Sequence, residues 1–139
     1  VDKDDTSKII RYWKSRPYGQ GDFARGFTPA HPTLFLRREV YDRTGGFNPD
    51  FRLAGDYEYM LRAFHTHGVR SAYLPETVVK MRTGGATGGS LSSIKKQNVE
   101  ILRALKSQGV RISKPMFFLR KFVERLRQRM RVWRLRGVA

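Results

Sequence analysis

The sequence predicts an α/β chain, and three observations carry that reading. Apolar residues recur at offsets of three, four and seven in 56–67, 90–108 and the stretch after Ser113, the spacing of one helical face. Short apolar or β-branched runs at 33–36, 69–74 and 77–81 read as strands. Glycine and proline clusters separate the two kinds of segment.

Residues 1–26 lead into the domain. The first five are acidic and contain Asp2-x-Asp4, a pattern that suits a divalent metal and equally an Asp-rich surface turn. Residues 7–13 fit a strand or a helical turn, and Pro17, Gly19, Gly21 and Gly26 mark loop. Pro29 and Pro32 impose an extended, rigid path around His31. That histidine is either an ordinary loop residue or a substrate contact at a cleft rim. A short helix over 37–44 ends at Gly45-Gly46, where glycine allows the closing left-handed turn. Phe47-Asn48-Pro49-Asp50-Phe51 is a turn between two aromatic anchors.

The central helix is expected over 56–67. Tyr57, Met60, Leu61 and Phe64 share its apolar face, and Gly68 stops it. Asp56 stands where an N-cap would, with Gly55 before it. An ordinary cap satisfies the spacing. The sharper alternative is a carboxylate held at a cleft edge to take a proton, kept ionised by the helix dipole. His65 and His67 lie two apart, share no face, and read as surface residues.

Beyond the strands at 69–74 and 77–81 lies Arg82-Thr83-Gly84-Gly85-Ala86-Thr87-Gly88-Gly89-Ser90. Its glycines permit close approach of backbone N–H groups to an anion, and Arg82 can pair with a diphosphate. It has neither the lysine nor the spacing of a P-loop, and a flexible linker explains it as well. In the next helix, 90–108, Ile94, Ile101, Leu102 and Leu105 line one side. The last helix sets Leu119, Phe122, Val123, Leu126, Met130 and Trp133 against Arg120, Lys121, Arg125, Arg127, Arg131 and Arg134. That pattern describes an interfacial helix, or one packed on its own protein with a solvated basic face.

Charge sharpens this division. Lys+Arg 28 against Asp+Glu 12 gives +16 over 139 residues. Residues 1–89 hold 14 basic and 10 acidic groups, a balance of +4, whereas 90–139 hold 14 and 2, a balance of +12. The C-terminal third therefore calls for an anionic partner. Cysteine is absent, which excludes disulfides and thiolate metal sites and fits a reducing compartment. No stretch approaches the roughly 18 apolar residues of a membrane span, and no secretory signal is visible. A start at Val1 leaves room for an upstream targeting segment.

Five motifs occur in order: His31-Pro32-Thr33-Leu34-Phe35-Leu36-Arg37-Arg38, Gly45-Gly46-Phe47, Gly55-Asp56-Tyr57-Glu58-Tyr59-Met60-Leu61-Arg62, Leu74-Pro75-Glu76 and Arg82-Thr83-Gly84-Gly85. In that order they resemble the C-terminal, acceptor-side half of a family 2 glycosyltransferase, closely over residues 27–90 and loosely beyond. The resemblance implies the C-terminal portion of a GT-A fold, a nucleotide-diphosphate-sugar donor, a divalent metal (Mg or Mn) and inversion at the anomeric carbon. It implies that Asp56 is the general base that deprotonates a hydroxyl acceptor. It places His31 and Thr33 beside the acceptor cleft, and Arg82, Gly84 and Gly85 near the donor diphosphate. Arg62 matches a recurrent arginine, as suited to a structural ion pair as to substrate. Gly55 replaces the first acid of a frequent Glu-Asp pair.

The resemblance divides the chain into the lead-in 1–26, the acceptor-side part 27–89, a helix packing on it at 90–112 and a basic amphipathic helix at 113–139. The family's nucleotide-binding half has no counterpart here. Asp2 and Asp4 lie too close to Asp56, without a preceding apolar strand, to be its Asp-x-Asp. The metal ligands are therefore expected mostly outside this chain, and the chain alone is expected to be inactive. The acceptor class the resemblance implies belongs to cell-envelope polysaccharide or glycolipid synthesis, lipid-linked acceptors included. The resemblance also implies a cytoplasmic setting, peripheral to the inner face of a membrane, with 113–139 expected on the anionic lipid surface. The rival reading is a non-catalytic basic module for a membrane surface. Nucleic acid ranks third, because no recognition motif accompanies the basic helix.

Overall fold

The computed structural model describes residues 1–84 and 90–136, with side chains described through Trp133. Its helices, in chain order, are α1 (Arg38–Thr44), α2 (Gly55–Leu61), α3 (Leu91–Ser107) and α4 (Lys114–Arg136). A 3₁₀ turn, His31–Thr33, precedes α1, and a π-helical turn, Arg62–Thr66, carries α2 onward. The described residues are all-helical and contain no strand.

The expected α/β architecture, and with it the mixed strands of a GT-A portion, is therefore corrected. A strand is stabilised by the ladder it shares with a neighbour. The stretches at 69–74 and 77–81 have no such neighbour among the described residues, and 70–78 lie exposed. Val69 is buried, but its N–H is taken by Ala63 O at the end of the π turn (3.0 Å). At 33–36 the prolines win over β-propensity. Pro32 sits inside the 3₁₀ turn, and Thr33 donates to Ala30 O through both its N–H (2.9 Å) and its hydroxyl (2.7 Å).

The helical spacing translates directly into burial. Tyr57, Met60, Leu61 and Phe64 are all buried, and α3 meets them with Ile101, Ala104 and Leu105. Ser90 caps α3 by accepting the Ser93 N–H (3.1 Å). Phe117, from the first turn of α4, completes this core. Phe23 enters from a tight turn and meets Tyr57 edge-on, 5.6 Å between centroids. That turn is pinned by Asp22, which is 1% exposed and accepts from Arg16, Arg25 and the Gly19 N–H. Burial alone would raise the Asp22 carboxyl; these donors together bring it below its ordinary value.

α4 packs on the body through a polar seam. Gln128 is buried, accepting from Arg11 Nε through its side chain (2.5 Å) and from the Tyr12 N–H through its carbonyl (3.4 Å). Lys121 is drawn into the same side of the helix, with Nζ donating to Asn98 Oδ1 (3.3 Å) beside Phe117 and Phe118. Burial, with Arg125 adding repulsion, pushes its ammonium down from 10.5 to about 8. The unfolded chain keeps that proton up to its ordinary value, and the folded chain loses it near 8. Between those values the unfolded state binds more protons, so stability climbs as pH rises through this window. Lys121→Met is expected to stabilise the protein by about 2 kcal/mol at neutral pH. That advantage fades as pH approaches the unfolded value. Urea unfolding of both proteins across the window is the check.

Candidate functional site

The site is assembled at the entrance to α2. Ala54 precedes the helix without a side-chain cap, and Gly55 and Asp56 open its first turn. Asp56 is therefore the second helical residue and not the N-cap its spacing suggested. A carboxylate from α3 holds the chain just before the helix. Glu100 Oε2 accepts the Leu53 and Ala54 N–H groups, each at 2.8 Å, and Gln97 Nε2 donates to Leu53 O at 3.3 Å. These bonds hold the backbone that leads into α2, and Asp56 stands partly exposed on its first turn.

One Asp56 oxygen, Oδ1, accepts the Tyr57 N–H at 2.7 Å. The other, Oδ2, lies 3.5 Å from His31 Nδ1, and both side chains are partly exposed, at 38% and 49%. The 3₁₀ turn thus brings His31 to Asp56 across 25 residues of sequence. The two stand on the wall of an open cleft of about 510 Å³, whose other walls include Phe47, Asn48, Phe51 and Gln97. Phe47 is more than half exposed and leans on Tyr59, 4.9 Å between centroids. Arg103 lies over Phe51, 4.3 Å from its ring centre, and donates to Asp50 O, which fixes the 48–51 turn against α3. The result is a partly exposed carboxylate with one oxygen on a backbone N–H, the other beside an imidazole, and aromatic surface close by.

The remaining candidates are placed elsewhere. Thr33 spends its hydroxyl on Ala30 O. Arg62 turns inward: Nε and Nη2 grip Glu58 at 2.8 and 3.1 Å, Nη1 donates to Thr44 O, and Nη2 reaches Gly46 O at 2.7 Å. Its bonds to Glu58 raise its already high pKa further. Arg62 lines a neighbouring cleft with Arg103 and Gln108, on the other side of the 48–51 turn. Arg82 and Gly84 are exposed, next to Met81 O and Thr83 N, which bond to Val1. Gly85 lies outside the described residues, as does most of the glycine-rich loop.

Asp2 and Asp4 stand in a turn at the surface. Asp2 Oδ1 accepts the Asp4 and Asp5 N–H groups in a surface turn, and Asp4 sits beside Lys3. Among the described residues no group of three His, Asp or Glu side chains is gathered to hold a metal. The residues that sequence reading missed are Gln97 and Glu100. One signal was present: Glu100 is the lone carboxylate of 90–112, on the side of α3 that carries Ile101 and Ala104. No protein-family model, curated protein or solved structure matches this chain.

Proposed function

We propose that this chain supplies the acceptor side of an inverting sugar transfer, from a nucleotide-diphosphate sugar to a hydroxyl, with Asp56 as the general base. The observation that carries it is Asp56 Oδ2, partly exposed and paired with His31 Nδ1 at 3.5 Å on the wall of a cleft that includes two phenylalanines. The order of motifs through residues 31–85 supports the same chemistry. The all-helical architecture lends no fold-level argument, so the proposal rests on the site.

In the step we assign, an acceptor hydroxyl enters the cleft with the apolar face of its ring on aromatic surface. Asp56 Oδ2 takes the hydroxyl proton as the acceptor oxygen forms its bond to the anomeric carbon. The bond from that carbon to the diphosphate breaks on the opposite face, and its electron pair leaves with the nucleoside diphosphate. His31 orients the carboxylate. The described residues do not fit a divalent metal, so no step is routed through one. The setting we propose is cytoplasmic, peripheral to the inner face of a membrane. No helix among the described residues is long and apolar enough to cross one.

Saturation-transfer and amide-shift NMR with a panel of methyl glycosides and short oligosaccharides tests the acceptor assignment. At least one sugar should shift the amides of Phe47, Asp56 and Gln97 together. A panel that moves none of them overturns it.

A further inference from the structure

The amphipathic pattern of α4 has an orientation that periodicity alone does not give. Its buried side chains are Phe117, Gln128 and Val132. Its large apolar residues Leu119, Phe122, Leu126, Met130 and Trp133 are 47–81% exposed. At about 100° per residue these five fall on one crest, opposite the buried seam. The apolar stripe therefore points away from the protein, and nothing in the described core covers it.

Arginines run along both sides of that crest. Arg120 and Arg127 lie on one flank, Arg125 and Arg129 on the other, all exposed. The one carboxylate of α4, Glu124, is occupied by Arg131 (3.5 Å) and Arg127 (3.9 Å) on the inner side. The fold also adds a basic residue that sequence reading had not linked to the helix. Arg11 is tied to Gln128 and lies close enough to Arg125 and Arg129 that their charges, after burial, lower its own pKa. Arg11 in turn lies over Trp13.

We propose that this crest docks in the plane of an anionic bilayer, with Phe122 and Trp133 entering the acyl boundary and the arginine flanks, extended by Arg11, on the headgroups. Charge selects this occupant. A second copy packed crest to crest would oppose arginine rows in either direction of pairing, since Glu124 is spent on the inner side. A nucleic acid would meet the arginines but leave the apolar crest in water. A bilayer surface satisfies both, over about 20 Å of helix. This inference rests on the peripheral placement proposed above and is independent of the chemistry at Asp56.

The test is flotation of the full 139-residue chain with mixed phosphatidylglycerol–phosphatidylcholine vesicles. Trp133 fluorescence is read in a Trp13→Phe background, since the chain has only these two tryptophans. Binding should weaken with salt, and Trp133 emission should shift to the blue. Phe122→Ser with Trp133→Ser, exposed positions that spare the core, should lower partition roughly tenfold at unchanged charge. Arg125→Gln with Arg129→Gln should lower it at least roughly tenfold. Lys95→Gln with Lys96→Gln removes equal charge from α3 and should change it only a few-fold. Circular dichroism confirms that each variant keeps its helices. Equal losses from the α3 and α4 charge pairs overturn the crest while leaving peripheral placement standing. Failure of the parent chain to bind anionic vesicles overturns both. A solution dimer dissolved by Trp133→Ser overturns it in favour of a second copy.

Discussion

Asp56→Asn in the native gene product is expected to lower kcat for sugar transfer by about a thousand-fold, with acceptor KM and thermal stability nearly unchanged. Asparagine keeps the shape of the side chain, and its Oδ1 still accepts the Tyr57 N–H seen at 2.7 Å. What it loses is the basic Oδ2 facing the cleft beside His31. The site is partly exposed and its backbone is held by Glu100, so no buried partner is orphaned by the change. A loss confined to kcat belongs to a group acting in the transition state, whereas a rise in KM alone marks mere acceptor contact. Initial rates with a nucleotide sugar and an accepted hydroxyl acceptor separate the two. Transfer at the parent rate by the asparagine variant would reduce Asp56 to a residue of the helix's first turn.

The helices were legible because their signal is local. The face of Tyr57, Met60, Leu61 and Phe64 is buried as its spacing required, and Ser90 caps α3. The strands were not, because a β-branched run states a preference and its ladder partner decides the outcome. At 69–74 and 77–81 no partner lies among the described residues, and at 33–36 the prolines set a 3₁₀ turn. Periodicity likewise gave α4 an apolar face without saying that it points outward. That direction depends on Gln128 finding Arg11 and Tyr12, 117 and 116 residues away in sequence.

The site divides the same way. His31 and Asp56 were both candidates, but nothing in the sequence paired them, since the pairing is made by the turn at Pro32 and the packing of 3₁₀ turn on α2. The N-cap reading of Asp56 failed for a related reason. An acidic residue near a helix start is compatible with several positions in the first turn. The chain path decided which one: Ala54 takes the cap position, and Glu100 from α3 holds the Leu53 and Ala54 N–H groups on the approach.

Arg62→Ala is expected to cost about 3 kcal/mol of stability, a large share of what a domain of this size possesses. Glu58 is only 3% exposed, and its two oxygens face Arg62 Nε and Nη2. Truncation leaves a buried carboxylate without its counter-charge. It also removes the donors that hold Thr44 O and Gly46 O, the clamp on the turn that ends α1. Gly45 stands in that turn at φ +76°, and Tyr59, under the Arg62 guanidinium, bonds the Thr44 hydroxyl at 3.1 Å. Lysine at position 62 should recover only part of the loss, since it lacks the planar fork that meets a carboxylate with two bonds. Removing both charges, in Glu58→Gln with Arg62→Met, should cost less than Arg62→Ala alone, because no unpaired charge remains inside. Urea unfolding checks this: the midpoint should fall in that order while the slope stays constant. The same measurement judges the rival role for Arg62. An arginine kept to hold substrate would leave the midpoint in place and raise KM; one kept to lock α1 against α2 moves the midpoint in the absence of any substrate.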